Sequence, residues 1–236
     1  MQKRDSSKVC QSKLKEQVAT WAKCAVSFQV DKDAINTLLG NLKNQFDTYS
    51  SVSKTLITDS RSPLMQYDNL KTLLLSKITI ELETTLNLIK SYTKGMGDVF
   101  IALQFASNDA NLILTQNQIK DIGCVTPILL ETVLDIQNLQ ILNEIEYIKK
   151  KKLISSLLIN GNSNSNSNSN SYGNSSMGMG MGMGMGMVVK DITHILSENV
   201  LRKCIEGWEE TNDVYKTTDK LLLESIIESN VNANNK

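Results

Sequence analysis

The apolar positions of this chain recur in sevens. Within residues 70–104, Leu75, Leu82, Ile89, Met96 and Leu103 form one series, and Ile78, Thr85, Tyr92 and Val99 form its partner, with Thr85 the polar lapse. Two interleaved series at this spacing are the a and d positions of a heptad, which predict a long helix packed lengthwise against others. At ~1.5 Å per residue the stretch spans roughly 50 Å, the length of a rod. Gly95 and Gly97 fall inside it, each costing ~1 kcal/mol against alanine. A bend or local flexibility is expected there and no stop, because Met96, Val99 and Leu103 keep the register. The rod is expected to end near residues 106–109, with residues 110–125 forming a locally packed connector.

A second seam precedes it. Leu14, Trp21, Phe28, Ile35, Leu42 and Tyr49 lie seven apart, and Val18, Ala25, Leu39 and Phe46 fill most of the partner positions, with Lys32 as the lapse. The register crosses residues 30–33 without a phase change, which favours one helix from about Lys8 to about Lys54 over two, although Asp31 or Asp33 is a residue type that caps a helix. Aromatic residues at this spacing read as core. A turn over residues 58–63, ending at Pro63, would fold the second rod back antiparallel to the first.

Thr126 followed by Pro127 is an N-cap with proline at the first helical position, and opens a third helix reaching about Ile159. Leu130, Leu134, Ile141, Ile145 and Ile148 share one face of it; Leu139, Leu142, Leu153 and Leu157 lie about 100° or more round the wheel. Two apolar faces mean either burial inside a bundle or one face for the core and one for a partner. Under the second alternative Leu139, Leu142, Leu153 and Leu157, with Trp208 further on, are the candidate partner-binding residues. Lys149, Lys150, Lys151 and Lys152 interrupt this helix as a candidate basic patch. Such a run is a solvated collar or an electrostatic contact with RNA or an acidic surface. Only Tyr147 stands beside it, so base stacking is not indicated.

Residues 160–187 alternate Asn with Ser and then Met with Gly. Neither pattern buries enough apolar surface to offset chain entropy, so this insertion is expected to be a disordered loop. Beyond it, Ile192, Ile195, Leu196, Val200, Leu201 and Ile205 make an amphipathic helix leading to Trp208. Thr217 or Thr218 then caps a last helix carrying Leu221, Leu222, Ile226 and Ile227. The expected organisation is therefore all-α: a long antiparallel helical bundle, coiled-coil-like, in residues 1–159; the low-complexity insertion in 160–187; completing helices in 188–229; and a frayed tail in 230–236.

Charge and chemistry narrow the function. The 25 basic and 25 acidic residues cancel, which removes bulk charge as an argument for nucleic-acid binding. Four scattered cysteines with no C-x-x-C pair read as free thiols of a reducing compartment. The polar start has no secretory apolar core, and no apolar run approaches the ~20 residues of a membrane span. A cytoplasmic or nuclear location follows. His194 is the only histidine, and phosphate-loop, dinucleotide-binding and zinc spacings are missing, so no catalytic, cofactor or metal site is expected.

Three stretches resemble one family when taken in order. They are Tyr67-Asp-Asn-Leu-Lys through Leu86-Asn-Leu-Ile-Lys to Val99-Phe100; the run from Glu144 through the lysines to Leu153-Ile-Ser-Ser-Leu157; and Asn199-Val-Leu-Arg through Trp208 to Leu221-Leu-Leu-Glu-Ser-Ile-Ile227. Together, with a weaker match around Trp21, they resemble AIRIM, a ribosome maturation factor working with an AAA+ ATPase. The resemblance implies a non-enzymatic adaptor whose partners are an AAA+ ATPase and a helical subunit like the cyclin-dependent-kinase-interacting proteins. It implies action in late maturation of the large ribosomal subunit, with pre-ribosomal particles contacted indirectly and no membrane. It brings no site residues with it. The insertion at 160–187 departs from the family pattern. The heptads alone also fit a coiled-coil subunit of another assembly, such as a trafficking or cytoskeletal tether, and the lysine run keeps an RNA-binding helical protein open.

Overall fold

A computed structural model of the chain describes residues 2–54, 69–120, 125–162, 196–211 and 217–234. The described residues are all-α and form five helices: α1 (Gln2–Lys54), α2 (Leu70–Lys120), α3 (Pro127–Asn162), α4 (Glu198–Thr211) and α5 (Thr217–Asn234). None of the described helices is long and apolar enough to cross a membrane. The turn expected over residues 58–63 and most of the low-complexity insertion lie outside the described residues.

α1 and α2 form an antiparallel hairpin whose core is most of the predicted seam; of the α2 positions, Tyr92 is exposed at 38% and Leu75 and Val99 are only partly buried. Leu14, Val18, Trp21, Ala25, Phe28, Ile35, Leu39, Leu42, Phe46 and Tyr49 of α1 are all buried, as are Ile78, Leu82, Ile89, Met96 and Leu103 of α2. The direction is fixed by polar pairs along its length. Lys71 donates to the Ser53 carbonyl at 2.7 Å, and Thr85 Oγ1 lies 3.0 Å from Gln45 Oε1. The polar lapse at Thr85 is thus a buried hydroxyl with an interhelical partner. α1 is continuous across Asp31 and Asp33, because Phe28 and Ile35 hold the seam on both sides of them.

α2 departs from expectation at its far end. It passes through Gly95 and Gly97 unbroken and does not stop at 106–109 but runs to Lys120. Ala106, Ser107, Ala110 and Leu114 are buried there, continuing the seam with small residues, which carry a weaker hydropathy signal than leucine. Gly97 has a packing role. A Cβ there would lie 2.9 Å from the Tyr147 hydroxyl, so glycine lets that ring approach α2 and stack on Phe100, centroids 4.4 Å apart.

Thr126 caps α3 as predicted, its hydroxyl accepting from Leu129 N at 3.4 Å and its carbonyl from Leu130 N at 3.0 Å. α3 lies antiparallel to α2 across the Phe100–Tyr147 stack and is bonded to α1 through Trp21 Nε1 and Gln140 Oε1 at 3.2 Å. α4 is confined to Glu198–Thr211; Leu196 precedes it, and Ile192 and Ile195 lie outside the described residues. α5 lies over α1 and α3 and extends through Asn234, so the tail expected to fray from 230 is helical for most of its length.

Candidate functional site

Two features stand apart from the apolar seam: a charged layer inside the bundle and an apolar face outside it. Both depend on how α3 is turned. Its buried stripe is Leu129, Val133, Ile136, Leu139, Gln140, Asn143, Glu146, Lys150, Ile154 and Leu157. Between Gln140 and Lys150 this stripe is polar, and it meets the one charged lapse in the α1 seam.

Glu146 is the centre of the layer. Its Oε1 lies 3.2 Å from Lys32 Nζ and 3.6 Å from Lys150 Nζ, and the side chains of Glu146 and Lys150 are 0% exposed. The core position that reads as a lapse in α1 is therefore an ion pair to α3. Lys150 sits one turn beyond Glu146 and reaches α4. Its ammonium lies 3.9 Å from the centre of the Trp208 ring and donates to the Trp208 carbonyl at 3.2 Å. That carbonyl belongs to the last turn of α4, where helix carbonyls have no intrahelical partner and a cation is favoured. Thr211 Oγ1 donates to it as well, at 2.7 Å. A Cβ at Gly207 would meet Leu153 Cδ2 at 2.9 Å, so glycine lets the Leu153 side chain pack against α4 at this spacing.

Electrostatically the layer is two ammonium groups on one carboxylate. Burial pulls Lys150 down to about 8, against the pull of Glu146, which favours its charged form. Burial pushes the neighbouring Cys204 thiol up to about 12, with Lys150 opposing. Cys204 is thus a neutral thiol in the core, without the thiolate that reactivity requires. Glu146, Lys150 and Trp208 are withdrawn from solvent and meet across helices, with Lys32 part-buried at the edge, which is the arrangement of a structural layer.

The candidate partner residues need correcting in this light. Leu139 and Leu157 are buried, Trp208 is 1% exposed, and Leu142 and Leu153 are half-buried against the core. The second apolar set on α3 is the core set. The alternative face is the exposed one: Leu134, Ile141, Ile145 and Ile148 lie open to solvent. The basic patch needs the same correction. Lys150 faces inward because it is one helical turn past Glu146, leaving Lys149, Lys151 and Lys152 exposed, with Lys151 5.4 Å from the Tyr147 ring centre.

The exposed row on α3 has a counterpart on α2. Ile101 and Phe105 are exposed, Phe105 at 65%. Ile101 stands one residue beyond Phe100 and Ile148 one beyond Tyr147. Because the two helices run antiparallel, the same advance past the stacked rings turns both rows to the same side, away from α1. Ile101 and Phe105 were hidden in the sequence because they lie off the heptad seam. The layer left two signals, a lysine at a core position and a Glu146–Lys150 spacing of four, but nothing in one sequence ties Lys32 to Glu146.

Comparison with protein-family models, with curated proteins and with solved structures finds no match to this chain.

Proposed function

We propose that the chain is a non-enzymatic helical adaptor that binds a partner's helix along the outer face of α2 and α3. The observation that carries this reading is the pair of exposed apolar rows, Ile101 and Phe105 beside Leu134, Ile141, Ile145 and Ile148. Scattered exposed hydrophobes need no explanation, but contiguous rows on one side of a molecule mark interaction sites. Rows at helical spacing suit an amphipathic helix laid along them.

The resemblance to AIRIM makes the proposal specific. The partners would be an AAA+ ATPase and a helical subunit like the cyclin-dependent-kinase-interacting proteins. The process would be late maturation of the large ribosomal subunit, in the cytoplasm and nucleus. Direct RNA binding by the lysine run is the weaker reading, since Lys150 is committed to Glu146 and Trp208.

The test is a tagged pull-down from cells, with and without ATP, using the native chain and the variant Phe105→Glu/Ile141→Glu. The native chain is expected to recover an AAA+ ATPase with precursor proteins of the large subunit. The variant should lose at least ten-fold in recovery while its thermal midpoint stays within a few degrees of native. Recovery of membrane tethers or cytoskeletal proteins would replace this reading with the generic coiled-coil subunit, and undiminished recovery by the variant would remove the α2/α3 face from it.

A further inference from the structure

The exposed rows of α2 and α3 have a common centre. On α3, Leu134 and Ile148 stand seven residues to either side of Ile141, so the three lie along one line of the helix. On α2, Leu112 stands seven residues beyond Phe105 and is exposed like Ile101. That row therefore runs from Ile101 to Leu112, with its middle beside Ala106. The Phe100–Tyr147 stack fixes the relative height of the two helices. Ala106, six residues past Phe100, is level with Ile141, six residues before Tyr147. The two rows thus share their middle and end at nearly the same heights, spanning roughly 20 Å at ~1.5 Å per residue.

The charges beside the α3 row are placed about the same middle with opposite sign. Glu131 lies ten residues before Ile141, and Lys149 and Lys152 lie eight and eleven residues after it. Glu131 and Lys149 are eighteen residues apart, five full turns, so they occupy the same edge of the row, the one away from α2; Lys152 falls between that edge and the row. All three are exposed, and none is in an ion pair among the described residues. On the edge toward α2, Gln137 lies four residues before Ile141 and Glu144 three residues after it. Gln137 is half-buried, and its Nε2 has no hydrogen-bond partner among the described residues.

A surface whose apolar row is symmetric about a point, and whose charges change sign about that point, is its own complement when turned end over end. We propose that the α2/α3 face closes a two-fold dimer with a second copy of this chain, about an axis that crosses α3 at Ile141 and α2 beside Ala106, perpendicular to both helices. Each helix then lies antiparallel to its own copy, as an isologous interface requires. Leu134 meets Ile148 of the second copy, and Ile101 meets its Leu112. Glu131 meets Lys149 and Lys152, and Glu144 meets the carboxamide of Gln137. A two-fold axis running along the helices would instead lay Lys94 against Lys151 of the second copy. The seven apolar side chains of the two rows are each between 40% and 65% exposed. At on the order of 100 Å² apiece, they come close to the roughly 800 Å² per partner of a standard stable interface. The dimer rests on the reading above only in taking this face as an interaction surface. A second copy and a partner's helix then compete for it, and the free chain keeps its apolar rows covered.

The test is sedimentation equilibrium of the purified full chain, with circular dichroism to follow folding. The native chain is expected to reach the mass of two chains at micromolar concentration. Phe105→Glu/Ile141→Glu should weaken dimerisation at least 100-fold. Glu131→Lys alone and Lys149→Glu/Lys152→Glu alone should each weaken it at least ten-fold. All these positions are exposed, so thermal midpoints should stay within a few degrees of native. The decisive measurement mixes the last two variants. One copy then carries lysine at all three positions and the other glutamate at all three, so the mixture should form dimers with an affinity within a few-fold of native. A native chain that stays monomeric at high micromolar concentration overturns the proposal. So does a dimer indifferent to Phe105→Glu/Ile141→Glu, or a mixture no tighter than its components. The pull-down separates the two readings: a monomeric chain whose face variant still loses its cellular partner removes the dimer and keeps the adaptor. A dimer lost in the face variant with undiminished recovery of partners does the reverse.

Discussion

From Leu14 to Tyr49 every fully buried residue of α1 is apolar or aromatic; from Gln140 to Lys150 every fully buried residue of α3 is polar. The two helices lie side by side in one bundle and bury their stripes at the same helical spacing. In the α1–α2 hairpin, burial of each large apolar side chain contributes about 1.5–3 kcal/mol, and neighbouring heptad positions present similar hydrocarbon. In the α3–α4 corner, Glu146 and Lys150 lose their hydration, and recover interactions only when Lys32 and Trp208 are placed to meet them. The contrast separates two tasks. The hairpin supplies adhesion with little demand on register. The charged layer supplies little net adhesion but holds α1, α3 and α4 in one mutual setting, since a slip of any of the three strands a buried charge.

Single substitutions should break this comparison most forcefully at Glu146. Glu146→Gln removes the carboxylate paired with Lys32 and Lys150, leaving the buried Lys150 ammonium and the part-buried Lys32 without it. It is expected to lower unfolding stability by about 3–5 kcal/mol, the range for an uncompensated buried charge. Leu42→Ala in the hairpin, which opens a cavity and strands no charge, should cost about 2–5 kcal/mol. Urea unfolding at neutral pH measures both. What distinguishes them is rescue: adding Lys150→Met to Glu146→Gln should return part of the loss, whereas adding it to Leu42→Ala should not. A cost under about 1 kcal/mol for Glu146→Gln would show that water reaches the layer, and the contrast between the regions would fail.

The same contrast decides what could be read from the residues alone. The hairpin was legible because its buried positions announce themselves by hydropathy: each member of the α1 seam proved buried, and Thr126–Pro127 marked the start of α3. The end of α2 was missed because Ala106, Ser107 and Ala110 are small and carry weak periodicity. α3 was turned the wrong way because periodicity assigns burial to apolar residues. Here Gln140, Asn143, Glu146 and Lys150 are inside while Ile141, Ile145 and Ile148 are outside. Pairing across 114 residues, from Lys32 to Glu146, is a tertiary fact that no local pattern encodes. The exposed α2/α3 face was illegible for the same reason, since it is what remains once the polar stripe has been buried.

A second change sharpens the division of tasks. Replacing the whole triad, Lys32→Met/Glu146→Leu/Lys150→Met, removes the desolvation cost together with the pairing. The expected outcome is stability equal to native or higher by about 1–4 kcal/mol, as for other buried ion networks exchanged for hydrocarbon. Register should suffer in its place. Hydrogen exchange across α4 should quicken relative to α1, because Trp208 has lost its ammonium partner and α4 is then held by apolar packing alone, Leu153 against Gly207 included. A triple variant whose α4 stays fully protected would mean that apolar packing alone sets the register.

The smallest effect is on pH dependence, and its sign follows from two buried neighbours. Lys150 titrates near 8 in the folded chain against 10.5 for an ordinary lysine. Its charging penalty is therefore fully present below about 8 and is relieved as pH rises from about 8 toward 10.5, where the unfolded chain holds the extra proton. Cys204 acts oppositely. Its folded value of about 12 against an ordinary 9.0 means that the unfolded thiol ionises first, so stability falls as pH rises above about 9. The two contributions overlap and nearly cancel between about 9 and 10.5. The native chain should gain about 1 kcal/mol at most between pH 8 and 9, since one proton is worth ~1.36 kcal/mol per pH unit, and then level off. Cys204→Ala should remove the opposing contribution and let the rise continue to about pH 10.5, although its baseline is lowered by the small cavity. Lys150→Met should abolish the rise and leave only the fall above about 9. Cys24 of α1 is also pushed up by burial but is common to all three chains, so differences between their urea titrations at half-unit pH steps report on the α3–α4 corner. A rise that persists in Lys150→Met would assign it to a group outside the layer.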